Sequence, residues 1–184
     1  MSLSSPIETE RLILRPPMLK DYDAIARLMA DPEVMRFLSL DGRPVGRFGA
    51  WQSFAGQVGH WHLRGFGMFN VFERASGEFV GRVGPWRPEG WPGLEVGWSL
   101  LSQYWGRGYA TEAAAASIDY SVTVLDQPEV ISLISPDNTK SVAVATRLGE
   151  ELIGETTLPH IQGRMVDVYA VTREQWRKRS QRAS

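Results

Sequence analysis

The residue types and spacings most able to do chemistry lie in one stretch, Gln103-Tyr104-Trp105-Gly106-Arg107-Gly108-Tyr109-Ala110-Thr111-Glu112. Its glycines sit where an extended pattern ends, at Leu101, and a helical one begins, at Tyr109. The start of a helix leaves its first backbone N–H groups unpaired and carries about half a positive charge. Residues without Cβ let a ligand come close to that main chain. A phosphate group fits such a place, and a plain tight turn is the competing reading. Two familiar phosphate loops are excluded. The chain has no GxxxxGK[ST], and the turn follows a fourth strand rather than an amino-terminal one, where a dinucleotide-binding GxGxxG would stand.

Other chemistry narrows by elimination. The chain has no cysteine, which removes disulfides, thiolate nucleophiles and Cys-based zinc sites. Its three histidines, His60, His62 and His160, lack any spacing such as HExxH, so no metal is expected. Lys plus Arg (20) nearly balance Asp plus Glu (21), a formal charge of −1. No whole-molecule field therefore draws the protein to nucleic acid or anionic lipid, and neither direct nucleic-acid binding nor a membrane partner is expected. With 184 residues, 43% hydrophobic and 22% charged, the expectation is a single domain over 1–184. Met1 to Pro6 carries neither the basic nor the apolar part of a secretory signal, which points to a cytoplasmic location.

The elements that must position the glycine stretch follow from periodicity. Ile7 to Arg15 sets Leu12 and Leu14 opposite Arg11, Ile13 and Arg15, a strand with one buried face that Pro16-Pro17 ends. From Lys20 the spacing of Tyr22, Ile25, Ala26 and Met29 is helical; Asp21 can cap, and Asp31-Pro32 stops this helix and starts another. A third helix between Val45 and Leu63 is expected to bury Phe48, Trp51, Ala55, Val58 and His62, despite four glycines. Strands follow at Phe66 to Glu73 and Glu78 to Trp86, joined by Arg74-Ala75-Ser76-Gly77, and at Leu94 to Leu101. Then come a helix from Tyr109 to about Val124, a strand from Val130 to Ser135, a helix from Thr139 to Leu148, and strands at 151–158 and 164–172. Small residues from Ala113 to Ala116 suit close packing of the first of these helices on a sheet. The fold class is α/β, a mixed sheet with helices on both faces.

Taken together, these segments resemble the GNAT acyl-CoA-dependent N-acetyltransferases, and within them the ribosomal-protein N-terminal acetyltransferases, a RimJ/RimL-like branch. The resemblance is carried by Thr9-Glu10-Arg11-Leu12-Ile13-Leu14-Arg15, by Glu95-Val96-Gly97-Trp98 followed by the glycine stretch, and by Asn138-Thr139-Lys140-Ser141, Arg147-Leu148-Gly149 and Gly163-Arg164-Met165-Val166-Asp167. It implies a sheet of about seven strands splayed between strands four and five, with acetyl-CoA as co-substrate. The pantetheine would lie in the gap and the pyrophosphate on the amides of Gly106 to Ala110. Leu100, Leu101, Trp105, Gly106, Arg107, Gly108, Tyr109, Ala110 and Asn138 are the implied coenzyme-binding residues. In the preferred register Trp105 stands where the family has Gln or Arg; the alternative register starts at Gln103. The implied partner is a primary amine, on a protein amino terminus or a small molecule, and a homodimer is a further option.

Acetyl transfer needs a neutral amine, a stabilised oxyanion and a leaving thiolate, with no covalent enzyme nucleophile. At pH 7 an α-amine is about 10% neutral and a lysine only about 0.04%, so a modest base suffices for an α-amine. Glu95, on the strand face of Gly97 and Ser99, is the candidate base, and Ser141 the candidate donor to the departing sulfur. Ser141 also has a structural reading, as the N3 partner of an Asn138 cap. Where many relatives carry an acidic tyrosine, this chain has Ala145. Glu112 reads as a salt-bridging residue and Arg107 as either a phosphate contact or a solvated side chain. His160, in the loop between the last two strands, reads either as a residue lining the substrate mouth or as an exposed loop histidine with no role, and Asp167 is open between roles. Eleven of the nineteen aromatics fall between Phe48 and Trp98, enough for a core and a few rings along an acceptor wall. The basic segment from Arg173 to Arg179 reads as a closing amphipathic helix.

Overall fold

The computed structural model describes residues 5–39, 41–158 and 165–183. Eight strands form one sheet in the order β1-β2-β3-β4-β5-β6-β8-β7. They are β1 (Ile7–Glu8), β2 (Leu12–Arg15), β3 (Phe69–Glu73), β4 (Phe79–Trp86), β5 (Glu95–Leu100), β6 (Glu129–Ile134), β7 (Glu151–Thr157) and β8 (Met165–Thr172). The helices are α1 (Tyr22–Ala30), α2 (Pro32–Leu38), α3 (Arg47–Arg64), α4 (Tyr109–Thr123), α5 (Thr139–Leu148) and α6 (Arg173–Ala183). The sheet is mixed, as expected, with eight strands instead of about seven. The difference lies in the first expected strand, which folds back on itself. Ile7 pairs with Leu14 and Glu8 with Ile13, so Thr9-Glu10-Arg11 is a turn and not mid-strand. No Gly or Asn marks that turn; Thr9 makes it, its amide donating to the Leu12 carbonyl at 2.9 Å.

Alternation along the strands sends two cores to the two faces. Val71 and Val80 pack in one cluster with Ala113, Ala114 and Ile118 of α4. Phe72 and Phe79, their sequence neighbours, pack in another with Ile25 of α1, Val34 of α2 and Phe54 of α3. Helices therefore cover both faces. Asp31 caps α2 as its sequence suggested, accepting from the Glu33 amide at 3.0 Å with Pro32 in the first turn. Asp21 does not cap α1 with its side chain. It is buried, paired with Arg15 at 2.6 Å, and takes further bonds from the Met18 amide and the Asn70 side chain.

Helix α3 forms over the expected residues but presents the opposite face. Ala50, Phe54, Gln57 and Trp61 are buried, whereas Phe48 is 75% exposed and Trp51 44%. Both stripes have helical spacing, so periodicity could not choose between them. The turn after the helix decides. Gly65, at φ 77, reverses the chain so that the Trp61 indole donates to the Met68 carbonyl at 2.9 Å. His60 is fixed by the same turn. Its Nε2 accepts the Arg87 amide at 3.2 Å, so its Nδ1 carries the proton and donates to the Phe66 carbonyl at 2.8 Å.

The one parallel junction among the described residues, β5 to β6, is nearly unpaired. Glu95 stands opposite Ile131, whose amide donates to the Leu94 carbonyl at 2.9 Å. Beyond that point β5 continues in register with β4 and β6 with β8. Side chains take the bonds that strand pairing would have made. The Ser132 hydroxyl lies 2.9 Å from the Val96 carbonyl, and the Leu133 amide donates to the Glu95 carboxylate. This is the splay the fold class implied.

Candidate active site

β5 runs from Glu95, where the opening starts, to Leu100, and the chain then turns through Ser102–Tyr104 into the glycine loop. Gly106 and Gly108 have φ of 76 and 81, conformations that L side chains rarely adopt. Gly108 is the residue from which α4 starts. No backbone N–H from Gly106 to Thr111 has a hydrogen-bond partner among the described residues; the next, on Glu112, donates to the Gly108 carbonyl at 3.1 Å. A Cβ at Gly106 would meet nothing within 4 Å, so this side of the loop is open. Unpaired amides, open backbone and a helix amino terminus make the loop chemically suited to a diphosphate.

The loop is tied down from several sides. Trp105 donates its indole N–H to the Leu100 carbonyl at 2.9 Å, and Lys140 Nζ sits 4.3 Å above its ring. Tyr104 donates to Glu78 at 2.6 Å, and the Tyr109 hydroxyl donates to Glu73. Leu100 is buried, and Leu101 extends the β4 pairing with its amide 3.0 Å from the Val80 carbonyl. The Arg11 guanidinium reaches Glu112 at 2.7 Å and the Arg107 carbonyl at 2.9 Å. Thr9 adds its hydroxyl to Glu112 at 2.6 Å and Arg11 its amide at 2.9 Å. Burial alone would raise the Glu112 pKa; these donors outweigh it and hold the carboxyl below its ordinary range. Glu112 is thus a tie between the β1–β2 turn and the first turn of α4. The Arg107 side chain lies over the Tyr104 ring, 5.2 Å from its centre. Ala110 is half-buried against the main core.

Glu95 lies half-buried at the foot of the opening. The Trp91 indole donates to it at 2.7 Å, and the Leu133 amide is its other donor. Burial outweighs both and pushes its pKa up to about 7. Gly97, two residues along on the same face, has no side chain to cover the carboxyl: a Cβ there would stand 3.4 Å from Glu95 Oε1 and 3.6 Å from the Met68 methyl. Ser141 is in the first turn of α5. Its amide donates to Asn138 Oδ1 at 3.2 Å, the cap its sequence suggested. Its hydroxyl oxygen takes the Trp98 indole N–H at 3.2 Å. Indole only donates, so the Ser141 hydroxyl proton is directed elsewhere.

Ala145 is fully buried, packed with Ile134 and Tyr169. His160, Gly163 and Arg164 lie outside the described residues. Asp167 is half-buried on β8, opposite Ile134. Two participants had no distinctive signal in the sequence. Trp91 belongs to a Pro- and Gly-rich loop between β4 and β5, and that composition marks a loop without marking an indole that donates to Glu95. Glu150 directly follows the helix-ending Gly149, where an apolar residue is usual, and it is buried. Among the described residues no helix is long and apolar enough to cross a membrane, and no group of three or more His, Asp or Glu is placed to hold a metal.

A mixed sheet opened at its single parallel junction, with a glycine-bent helix start at the mouth of the opening, is the layout of an acetyltransferase fold. Known proteins carry the assignment further. Residues 11–151 match the family described as acetyltransferase (GNAT) domain. An acetyltransferase structure from Agrobacterium tumefaciens is 33% identical with a TM-score of 0.80, covering 92% of this chain and 95% of that one. The uncharacterized N-acetyltransferase p20 of Bacillus licheniformis is 28% identical over 164 residues, 88% of this chain and 91% of its own. A ribosomal-protein-S5-alanine acetyltransferase from Vibrio fischeri, 20% identical, shares the fold with a TM-score of 0.71 over 94% of this chain and 99% of its own. The chain belongs to the GNAT family and is an N-acetyltransferase of that family, which implies acetyl-CoA as its co-substrate.

Proposed function

We propose that the protein moves the acetyl group of acetyl-CoA to a primary amine by direct attack, with the diphosphate held on the amides of Gly106 to Ala110 and the pantetheine in the β5–β6 opening. The coenzyme supplies an activated acetyl thioester. The chain supplies the rest. Trp105, Arg107, Tyr109, Leu100, Leu101 and Asn138 border the path from loop to opening. Glu95 takes the proton of the attacking amine, directly or through water, and a carboxyl held near pH 7 is matched to that task. The Ser141 hydroxyl, its lone pair engaged by Trp98, offers its proton to the departing sulfur. The observation that carries this reading is the run of unpaired amides at the mouth of an opening whose foot holds Glu95.

The leading acceptor is a protein or peptide amino terminus, as the ribosomal-protein acetyltransferases suggest by analogy of fold alone. Small amines are the competing class. Thiol release from acetyl-CoA over a panel of peptides and small amines tests the function. Turnover on peptide termini supports the leading acceptor and turnover on small amines alone replaces it. Coenzyme binding with no turnover on any amine makes the protein an acyl-CoA-binding module, a reading that the alanine at position 145 favours.

A further inference from the structure

Glu150 is a carboxyl in a place built for an apolar side chain. Gly149 ends α5 at φ 81, and the Glu150 amide closes the turn on the Ala145 carbonyl at 3.0 Å. In such a turn the following side chain normally packs into the core. Here it is a glutamate, 5% exposed, with Oε2 buried and unpartnered. Its other oxygen, Oε1, lies 3.1 Å from Ser132 Oγ, and that same hydroxyl lies 2.9 Å from the Val96 carbonyl.

The hydroxyl has one proton and the carbonyl has none. If Ser132 donates to Val96, the contact with Glu150 needs a proton from Glu150. Both bonds therefore form only when Glu150 is a neutral acid donating to Ser132. The resulting chain, Glu150 to Ser132 to Val96, spans β6 and β5 one residue beyond their last paired position. The next residue of β6, Leu133, donates its amide to Glu95. The two carboxyl groups thus bond to adjacent residues of β6 at the foot of one opening, Glu95 as acceptor and Glu150 as donor.

We propose that Glu150 is a positioning residue for acetyl transfer: as a neutral acid it bridges β5 and β6 through Ser132 and leaves the negative charge of the opening to Glu95. This rests on the reading of Glu95 as base. The groups that face Glu150 fit the assignment. From β5 the facing charge is Glu95, which together with burial pushes the Glu150 pKa up to about 8. From β6 comes the Ser132 hydroxyl. From β8, Tyr169 stands opposite Ser132 and is itself kept protonated by burial and by Asp167. From α5 comes the Ala145 backbone, and from α6 the Arg179 guanidinium, which lies against the neighbouring Gly149 and donates to the Arg147 carbonyl. No Lys or Arg pairs with Glu150 among the described residues. The pair titrates as a unit, Glu95 first, and loss of the second proton transfers the Ser132 hydroxyl from Val96 to the Glu150 carboxylate.

The test combines a direct titration with kinetics. Carbon-13 NMR of glutamate-labelled enzyme should show a carboxyl, absent in Glu150→Gln, that titrates about pH 8 and moves down in Glu95→Gln. The kcat–pH profile should fall on the alkaline side with the same midpoint. Glu150→Gln, which can still donate to Ser132, should lose that fall. Glu150→Leu, which cannot, should lower kcat about tenfold while the KM for acetyl-CoA stays within about twofold, and Glu150→Gln should recover most of the loss. A Glu150 carboxyl that titrates below pH 6 would overturn the proposal, as would equal kcat for the Leu and Gln variants. Failure of Glu95 as base reads differently: Glu95→Gln would keep full turnover while the Glu150 resonance still titrated late.

Discussion

Replacing Glu95 with Gln should make the protein slower and more stable, and both effects scale with one quantity. With its pKa about 7, Glu95 is about one-tenth ionised at pH 6 and about nine-tenths at pH 8. An α-amine acceptor with pKa about 8 loses its own proton over the same range. Below about pH 6.5, log kcat/KM should then climb with a slope of about two in the wild type and about one in Glu95→Gln. Stability runs the other way. The unfolded chain releases this proton near the ordinary carboxyl value of 4.5, the folded one near 7. Between those values the folded state binds more protons, so stability declines as pH rises and levels off above 7. The shift from 4.5 to about 7 corresponds to about 3 kcal/mol at most, reduced by whatever water reaches the half-buried carboxyl. Chemical denaturation at pH 4.5 and pH 8 should show the variant level with wild type at the first and more stable at the second. Equal pH slopes together with a stability difference independent of pH would refute the environment assigned to Glu95.

Gly108→Val places a branched side chain at φ 81, with its Cβ 3.3 Å from Arg11 Nη2. The strain is about 1–3 kcal/mol, survivable for the fold, but coenzyme affinity by calorimetry should fall at least about tenfold, and unchanged affinity would reduce the loop to a connection. With amides and not side-chain cations proposed to hold the diphosphate, the coenzyme Kd should weaken less than about threefold between about 50 and 500 mM KCl. A loss above about tenfold would point to Arg107 or Lys140 instead. Ser141→Ala leaves the Asn138 cap intact, since the cap uses the Ser141 amide. It should lower kcat by about ten- to a hundredfold with little change in the KM for acetyl-CoA, and full turnover would leave Ser141 a purely structural role.

Much of the fold was legible because its signals are local. Asn138 and Gly149 bound α5 where the sequence placed it, and Asp31-Pro32 divides α1 from α2. The glycine loop was legible for the same reason, as a strand end, a positive-φ turn and a helix start within ten residues. What was not legible depends on contacts between distant segments. The β1–β2 turn carries no glycine because Thr9 and Arg11 are stabilised by Glu112, about a hundred residues on. The buried face of α3 depends on a bond that the Trp61 indole makes beyond the helix. The state of Glu95 depends on Trp91, four residues back, and on Leu133, across the opening. A strand glutamate looks the same in sequence whether solvated or held near neutrality.

The three glutamates around the opening show what the sequence leaves undetermined and geometry supplies. Glu112 receives the Thr9 hydroxyl, the Arg11 amide and the Arg11 guanidinium, and its pKa is lowered. Glu95 receives two neutral donors and sits at about 7. Glu150 shares one hydroxyl and sits at about 8. As donors are withdrawn from a buried carboxyl, its charge becomes harder to keep. The sign of each contribution to stability follows. Glu112 stabilises the fold above the ordinary carboxyl pKa, and that contribution is lost as pH falls through its lowered value; Glu95 and Glu150 weaken the fold progressively as pH rises toward theirs. The tie that holds the glycine loop is therefore made with an ion, while the groups at the foot of the opening are kept where a proton can be gained or lost near neutral pH. That division supports the proposed placing of the chemistry at the β5–β6 junction and of the anchoring at the start of α4.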